Sequence, residues 1–419
     1  MKKLVLFFVF AQTLCMSYSQ HKPQHFTGGA DISANFDTAR LHRIDAAYQR
    51  LIDEGILPNA VTFVAHKGNI VHYKAFGWRN IEKKIPCRRD DIFRMASQTK
   101  AIAVVALMTL FEEGRFQLDE SIKKYIPEFE NPQVIETYNP ADTTYTARPA
   151  KHDITIRHLI THTSGISAYD SQFAAICEKN GIPPLNTKAD ITLGEAVRRL
   201  AKIPLAHDPG QKFTYGMSID VLGYLIEILS EKTVDTFIKE RILDPLGMNS
   251  TCFYLSDDQT ERLVTLYEYT GEKKLQQSTH PVHQTFPYEG AKKFFSTGAG
   301  LNGTIEDYAK FCQMILNDGE FNGVRILGRK TLEMMRRNGV GDLRGEIGFG
   351  MAWDVFREQY AHRSVASTGS SRWGGMFGTD YVIDPKEDLI LLIYVNVSPN
   401  LSGIDPKTLL HNVTYQALK

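Results

Sequence analysis

The chain has 419 residues, of which 43% are hydrophobic and 23% are charged, so it is long enough for a substantial core and two structural lobes. Its 48 basic residues balance its 48 acidic residues, which leaves no electrostatic footprint for nucleic acid or for an anionic membrane surface. We therefore expect a globular protein that has no nucleic-acid partner.

The N-terminus has the three parts of a secretory signal peptide. Met1-Lys2-Lys3 precedes an apolar run of 13 residues, and Ser17-Tyr18-Ser19 provides a small-x-small cleavage site. Because the run is too short to span a bilayer comfortably, we predict a signal peptide at residues 1–19 and no stable membrane span in the mature chain; an uncleaved anchor is the alternative. The protein is then exported, to the periplasm or to the medium.

The hydrophobic pattern predicts strands near both ends of the mature chain and helices between them. Residues 61–80 form two β-rich runs around Lys67-Gly68-Asn69, which predicts a hairpin, and residues 381–385 and 389–397 are predicted strands around a polar turn. Helical patterns cover residues 156–161, 192–201, 218–230, 234–243 and 305–317. We therefore predict an α/β (α+β) fold in which one sheet is built from both chain ends, is flanked by helices and carries an inserted all-helical lobe.

These elements define one catalytic domain over residues 20–419. Its sheet lobe covers about residues 40–115 and 290–419, and its helical lobe covers about residues 116–289. Two stretches, residues 131–152 and 267–296, have an irregular polar composition. They are interpreted as lids or binding loops, with plain surface excursions as an equal alternative.

The motif Ser97-Gln98-Thr99-Lys100 stands at the head of a long apolar run, residues 101–111, which Gly114 ends. A run that is apolar almost all round is typical of a buried helix, and burial disfavours the charged form of a lysine on its first turn. Serine and lysine three positions apart share one face, so the amine can accept the hydroxyl proton. The same spacing arises by chance as a cap and a solvated lysine, but here it indicates a serine hydrolase.

A second candidate group is Tyr215, which follows the turn Asp208-Pro209-Gly210 and precedes the helix predicted from Ser218. A tyrosine held at a helix start points its phenol at a fixed place, and near a lysine it can transfer a proton; a packed core tyrosine is the alternative. Asp220, in the first turn of that helix, is interpreted as a capping or dipole-favoured acid.

The third candidate segment is Trp373-Gly374-Gly375, which continues as Met376-Phe377-Gly378-Thr379 before the last strands. Glycines at a strand edge let a substrate approach the backbone closely, and a bare N–H there can complete an oxyanion hole. A simple β-turn is the alternative interpretation.

In this order, Ser97-x-x-Lys100, Tyr215 and Trp373-Gly374-Gly375 resemble the motifs of the penicillin-recognising serine hydrolase superfamily, especially class C β-lactamases and β-lactamase-related carboxylesterases. Residues 154–165, 220–223, 244–248 and 298–301 also resemble signatures of this family, and the likeness extends over about residues 44–397. The resemblance implies a β-lactamase/transpeptidase-like fold.

The resemblance also implies an acyl-enzyme mechanism that needs no metal and no organic cofactor. Ser97 would attack the carbonyl of a small-molecule ester or amide, while Lys100 and Tyr215 would take its proton and deliver it to the leaving group. The backbone N–H groups of Ser97 and Met376 would hold the oxyanion. The substrate-binding residues would be Met217, Trp373, Gly374 and Gly375.

Two departures from the family pattern favour neutral esters. The second motif ends in Met217 where β-lactamases and D-Ala-D-Ala peptidases have an asparagine, and methionine supplies no amide. The third motif has Trp373 where those enzymes have a lysine, and an indole cannot replace a charge that attracts a substrate carboxylate. Arg372 beside it would partly restore a cation. We therefore predict a carboxylesterase, with β-lactamase or D-Ala-D-Ala-type peptidase activity as the alternative.

Other functions are weaker interpretations. His158 and His162 have the spacing of two metal ligands on one helical face, but no glutamate completes a zinc motif. His280 and His283 lie in a loop without carboxylates, so we interpret all four histidines as structural.

Cys87, Cys177, Cys252 and Cys312 are widely spaced, and we infer no disulfide. No Gly-x-Ser-x-Gly elbow of an α/β hydrolase occurs. A sensor that forms an acyl adduct without turnover is a second alternative.

Overall fold

Both ends of the chain contribute to one antiparallel sheet. The computed structural model describes residues 22–29, 31–168, 170–271, 274–400 and 402–419. The strands are β1 (Asn59–His66), β2 (Asn69–Asn80), β3 (Ile85–Pro86), β4 (Phe93–Arg94), β5 (Gln133–Asn139), β6 (Thr144–Pro149), β7 (Tyr267–Tyr269), β8 (Leu275–Gln277), β9 (Asn302–Gly303), β10 (Glu320–Phe321), β11 (Val324–Arg325), β12 (Gly348–Phe349), β13 (Asp354–Val355), β14 (Ser371–Gly374), β15 (Asp380–Asp384) and β16 (Leu389–Tyr394). Eight of them form the main sheet in the order β12-β13-β14-β15-β16-β1-β2-β3.

Helices cover both faces of this sheet and fill the middle of the chain. They are α1 (Thr38–Leu41), α2 (Arg43–Asp53), α3 (Thr99–Glu112), α4 (Ile156–Ile160), α5 (Ser171–Lys179), α6 (Leu193–Leu200), α7 (Ser218–Ser230), α8 (Val234–Ile238), α9 (Asp244–Leu246), α10 (Asp257–Thr260), α11 (Ile305–Leu316), α12 (Arg329–Met335) and α13 (Pro406–Tyr415). A 3₁₀ turn, Ala96–Gln98, precedes α3, and a π-helical turn, Lys239–Leu243, follows α8.

The central strands are buried on both faces. β1 pairs with β16, with Val61 opposite Tyr394, and both strands consist of buried residues. Because side chains alternate along a strand, Val61 and Phe63 enter the larger core beside α3 and α11, whereas Ala60 and Val64 enter a second core beside α2. The sheet is therefore a rigid platform between two apolar layers.

Helix α3 runs through the larger core. Residues 99–110 are all buried, and the helix packs against α7 and α8. Such all-round burial explains why its sequence has no polar face. The structure thus confirms the predicted buried helix after Ser97, so the serine stands at the start of a helix that is buried in the larger core.

The predicted sheet is confirmed: one antiparallel sheet joins the chain ends and helices flank it. The prediction of an all-helical inserted lobe is wrong, because the middle segment carries strands β5 to β8 and long turns beside helices α4 to α10. The hairpin around Lys67-Gly68-Asn69 is β1 and β2, which turn with positive φ at Lys67 and Gly68. α4, α6, α7 and α11 lie where the periodicity predicts them. The predicted helix at residues 234–243 is divided between α8 and the π-helical turn.

The interpretation of residues 131–152 as irregular is wrong for most of that stretch. β5 and β6 form a hairpin there, so the middle segment also contains strands. Thr137 and Thr146 face each other with their hydroxyls hydrogen-bonded at 2.7 Å, and threonine and tyrosine favour strands, which the polar composition had masked. The second stretch, residues 267–296, begins with the small hairpin β7–β8 and continues mainly as turns.

The signal peptide predicted at residues 1–19 lies outside the described residues. Within the described part of the chain, none of the helices has the length and hydropathy needed to cross a membrane. The cysteines of the described residues, Cys87, Cys177, Cys252 and Cys312, carry free thiols. The limits of the two lobes stay a prediction.

Candidate active site

The Ser97 and Lys100 side chains meet at the start of α3. Lys100 is 1% exposed, and its ammonium donates hydrogen bonds to Ser97 Oγ at 3.2 Å and to the Gly298 carbonyl at 2.7 Å. The α-helix itself begins at Thr99, two residues later than the sequence suggests, so Ser97 lies in the preceding 3₁₀ turn. The spacing therefore does what the motif predicts, and a buried amine is directed at a half-buried hydroxyl.

The backbone before Ser97 is held in an unusual conformation. Ala96 has φ +46°, in the left-handed region, which costs a non-glycine residue about 1–2 kcal/mol. The Thr99 hydroxyl donates to the Ala96 carbonyl at 2.7 Å and accepts the N–H of Leu301 at 3.0 Å. These buried bonds keep the strained turn in place, and strain of this kind is concentrated at functional sites.

Tyr215 lies on the other side of the lysine. The Lys100 Nζ atom is 4.6 Å from the centre of the Tyr215 ring, whose neighbours include the rings of His162 at 4.7 Å and Trp373 at 5.5 Å between centroids. Thr214, just before it, donates its N–H to the His162 carbonyl at 2.8 Å. The structure thus brings the first and second motifs together around one ammonium group.

The turn between β14 and β15 forms the third wall of the site. The Gly375 N–H donates to the Thr379 carbonyl at 2.8 Å, and the Thr379 hydroxyl donates to the Met95 carbonyl at 3.1 Å, two residues before Ser97. Among the turn and loop hydrogen bonds of the described residues, none has the N–H of Ser97 or of Met376 as its donor. Both donors are thus available for an oxyanion.

Met217 and Trp373 have apolar environments, as their residue types suggest. Met217 is 2% exposed and belongs to the larger core. Trp373 is half-buried and packs edge-on against Phe349, with 5.4 Å between ring centroids. Neither residue brings an amide or a cation to the site.

Asp220 does more than the sequence interpretation assigns to it. It lies in the first turn of α7, as predicted, but its Oδ1 atom accepts the Ser296 hydroxyl at 2.8 Å and the Gly298 N–H at 3.3 Å. Burial raises the pKa of its carboxyl, an effect that nearby Lys100 opposes. Asp220 therefore fixes the segment whose Gly298 carbonyl orients Lys100.

The cation expected from Arg372 is engaged elsewhere. The Arg372 Nε atom pairs with the buried carboxylate of Asp380 at 3.2 Å. Arg344, which the sequence analysis missed, also lies beside the motif: its guanidinium carbon is 4.6 Å from the Phe213 ring centre and 5.4 Å from that of Trp373. Its Nε donates to Asp354 at 2.7 Å. It comes from a loop without a local signal, so only the folded chain places it beside Trp373.

The histidines of the first pair do not share a helical face. α4 ends at Ile160, and His162 follows with φ +54°, whereas His158 accepts the Thr155 N–H as part of a capping box. His162 is fully buried, and burial together with the charges of Lys100 and Arg344 lowers its pKa well below the usual value. It packs as a neutral ring, and the described residues contain no group of side chains suited to a metal ion.

Comparison with known proteins identifies the family of the chain. The Beta-lactamase family matches residues 44–413, and the chain belongs to this family. Esterase EstB of Burkholderia gladioli is 28% identical over 374 residues, which cover 85% of this chain and 90% of the esterase. A putative D-alanyl-D-alanine carboxypeptidase of Escherichia coli (strain K12) is 25% identical over 429 residues, 97% of this chain and 93% of that protein.

A solved structure shows the same fold. EstCE1, described as a hydrolase with promiscuous acyltransferase activity, superposes with a TM-score of 0.75 at 24% identity, covering 90% of this chain and 98% of its own. Family and fold together make the protein a serine hydrolase of the β-lactamase fold.

Proposed function

We propose that the protein is a carboxylesterase that hydrolyses small neutral esters through an acyl-enzyme on Ser97. The observation that supports this most directly is the cluster around Lys100, whose Nζ atom is 3.2 Å from Ser97 Oγ and 4.6 Å from the Tyr215 ring centre. A buried amine within hydrogen-bond distance of a serine hydroxyl, with a tyrosine ring beside the amine, is an arrangement that would activate the serine as a nucleophile.

The proposed reaction has two steps. Ser97 Oγ attacks the ester carbonyl, its proton passes to the Lys100 and Tyr215 pair, and the N–H groups of Ser97 and Met376 stabilise the oxyanion. The C–O bond then breaks, the pair returns the proton to the departing alkoxide, and an alcohol leaves. Water next attacks the acyl-enzyme with the same pair as base, which releases the carboxylic acid and restores the Ser97 hydroxyl.

The preference for neutral substrates rests on the residue types at one position of the second motif and one of the third. Met217 and Trp373 occupy the positions where relatives that bind carboxylate-bearing substrates have an asparagine and a lysine. The charge of the neighbouring Arg372 is neutralised by its ion pair with Asp380. Binding an anion without a matched cation costs desolvation, so a neutral ester is the better fit. The likeness to an esterase of Burkholderia gladioli supports the same proposal.

Active-site labelling tests the nucleophile. A fluorophosphonate should modify the protein at Ser97, and mass spectrometry should locate the adduct there; Ser97→Ala should remain unlabelled and lose turnover of p-nitrophenyl butyrate. Ser164, a buried serine bonded to Ser218 at 2.9 Å, offers a control as Ser164→Ala, which should still be labelled. An adduct on any other residue would refute the proposal.

A second candidate function is hydrolysis of β-lactams or D-Ala-D-Ala peptides. The guanidinium of Arg344, 5.4 Å from the Trp373 ring centre, is the observation in its favour: although its Nε atom pairs with Asp354 at 2.7 Å, its charge beside the motif would attract a substrate carboxylate. Nitrocefin and a D-Ala-D-Ala peptide, assayed beside short-chain esters, decide between the two. If the peptide is the better substrate and Arg344→Gln raises its KM alone, the second candidate replaces the first. A single burst without turnover on every substrate would instead indicate an acyl-binding sensor.

Export is a separate proposal. The charged start, the apolar run and the site ending at Ser19 support cleavage of residues 1–19 and delivery to the periplasm or the medium. When the full chain is expressed in a Gram-negative host, N-terminal sequencing of the periplasmic fraction should begin at Gln20. A chain that starts at Met1 and stays with the membrane fraction would show that the segment is an uncleaved anchor.

A further inference from the structure

A cavity of about 710 Å³ lies between α5, the segment that follows it and the start of α7. We call it the α5 cavity. Its lining is mainly apolar and includes Ala168, Ala174, Ile182, Leu185, Ile191 and Met217. The volume is within the range of pockets that enclose small molecules.

The α5 cavity adjoins the candidate active site through two of these residues. Met217, two positions after Tyr215, forms part of its wall. Leu185 forms another part and packs against Gly298: its Cδ1 atom is 3.0 Å from the point where a Cβ on Gly298 would lie. The Gly298 carbonyl accepts a hydrogen bond from the Lys100 ammonium at 2.7 Å, so Leu185 of the cavity wall packs against the residue that contacts Lys100.

The polarity of the cavity changes from its rim to its buried end. The charged residues of the lining, Glu178, Asp190 and Arg199, are exposed, whereas Ile182, Ile191 and Met217 are buried. Arg199 donates a hydrogen bond to the Gly181 carbonyl at 2.7 Å, and Asp190 forms an ion pair with Lys293 at 2.7 Å. The buried end therefore offers an occupant dispersion contacts and no charge, which suits an uncharged hydrocarbon chain.

We propose that the α5 cavity receives an aliphatic chain of the ester substrate, and this inference rests on the proposed esterase function. The aliphatic chain of the substrate passes Met217 on its way into the cavity. Met217, which stands where the family pattern has a polar residue, therefore provides an apolar contact for this chain. The same cavity fits a chain on the acyl side or on the alcohol side of the ester.

Two series of substrates separate these sides. p-Nitrophenyl esters from acetate to octanoate vary the acyl chain, and acetate esters from ethyl to octyl alcohol vary the other. On the side that enters the cavity, kcat/KM should rise about threefold to fourfold for each added methylene until the chain fills it. Values that do not rise with chain length on either side would overturn the proposal.

Ala174 provides the matching variant because its side chain lines the cavity and is exposed, so substitution spares the core. Ala174→Trp should lower the ratio of kcat/KM for the eight-carbon to the two-carbon substrate by about tenfold, and Ala174→Leu by less. Ala141→Trp makes the same change at an exposed turn residue outside the lining and should leave the ratio as it is. An unchanged ratio in a folded Ala174→Trp protein would contradict the inference.

A binding measurement without turnover distinguishes failure of the inference from failure of the proposed function. In a Ser97→Ala background, N-phenyl-1-naphthylamine should become fluorescent in the cavity, and decanol should displace it. The added Ala174→Trp substitution should weaken this binding at least about tenfold, and Ala141→Trp should not. Loss of binding with Ala174→Trp supports the cavity even if every ester proves inert, whereas equal binding in both variants overturns it.

Discussion

Replacing Gly375 with alanine would push the turn after β14 away from the backbone that precedes Ser97. A Cβ atom on Gly375 would lie 2.2 Å from the Met95 carbonyl oxygen and 2.5 Å from Thr379 Oγ1. The Met95 backbone cannot retreat easily, because its N–H donates to the Leu301 carbonyl at 3.1 Å and its own carbonyl accepts the Thr379 hydroxyl. The turn itself must therefore move.

The size of this movement sets the expected effect. The contact must lengthen from 2.2 Å to at least 3.0 Å, a displacement of about 0.8 Å, and the next residue, Met376, moves with it. Losing one donor of an oxyanion hole lowers kcat by about 10²-fold to 10³-fold. We expect Gly375→Ala to lower kcat within that range, with a smaller change in KM because the donor acts on the transition state.

Steady-state hydrolysis of p-nitrophenyl butyrate measures this effect, with circular dichroism and thermal unfolding as tests of folding. Gly319→Ala provides a control for a severe clash outside the site, since its Cβ would lie 2.0 Å from the Leu327 carbonyl oxygen. Gly28→Ala, with open space around its Cβ, controls for the substitution alone. If folded Gly375→Ala keeps kcat within threefold of the original protein, the Met376 N–H does not hold the oxyanion.

Three further predictions concern groups around the site and in the sheet. Lys100→Met and Tyr215→Phe should each lower kcat by about 10²-fold to 10⁴-fold, and because they act on the same proton, the double variant should be little worse than either; fully additive losses would show separate roles. Asp220→Asn should lower kcat about tenfold, because it loosens the segment that contains Gly298. The same substitution should raise the thermal midpoint of unfolding at pH 8, because burial raises the pKa of this carboxyl and so disfavours its charged form. A lower midpoint would show that the hydrogen bonds of the charged carboxylate dominate. His72 is hydrogen-bonded to Thr62 at 2.7 Å, and burial lowers its pKa to about 4 despite nearby Asp45. As the pH falls from about 6.5 to 4, His72 therefore takes up a proton in the unfolded chain but stays neutral in the folded protein. Urea unfolding at pH 7 and pH 4 should show that His72→Gln removes up to about 3 kcal/mol of the acid-induced loss of stability, and an unchanged loss would contradict this reasoning.

Local patterns predicted those parts of the structure whose causes are local. The residues of α3 are apolar on every side because the helix is buried on every side, and α7 begins at Ser218 and ends at Ser230, where the periodicity predicts it. The hairpin at Gly68 follows from a turn between two β-rich runs. In each case, the signal and the structure involve the same few residues, so no long-range contact was needed to interpret them.

The site could be predicted only as far as its motifs. Arg344 comes 29 residues before Trp373, from a loop that neither periodicity nor spacing marks, and only folding sets its guanidinium beside the indole. Asp220 has the sequence position of a helix-start acid, and its partners Ser296 and Gly298 are supplied by a segment more than 70 residues away. The contacts of Arg344 and Asp220 in the site arise from tertiary packing, and the local sequence around each residue does not predict them.

The segment 296–301 carries no proposed catalytic group, yet it connects Lys100 of the first motif with helix α7, which follows Tyr215, and with the backbone before Ser97. The Gly298 carbonyl accepts a hydrogen bond from the Lys100 ammonium, and the Gly298 N–H donates one to the Asp220 carboxylate of α7. The Leu301 carbonyl accepts the N–H of Met95, whose own carbonyl lies against the turn that contains Gly375.

This role also explains the sequence of the segment. A Cβ on Gly298 would be 2.4 Å from the Asp220 carboxylate, so a larger residue would separate the second motif from the first. The resemblance of residues 298–301 to a family signature therefore has a physical basis: the segment holds Lys100 beside α7 and binds the backbone that precedes Ser97.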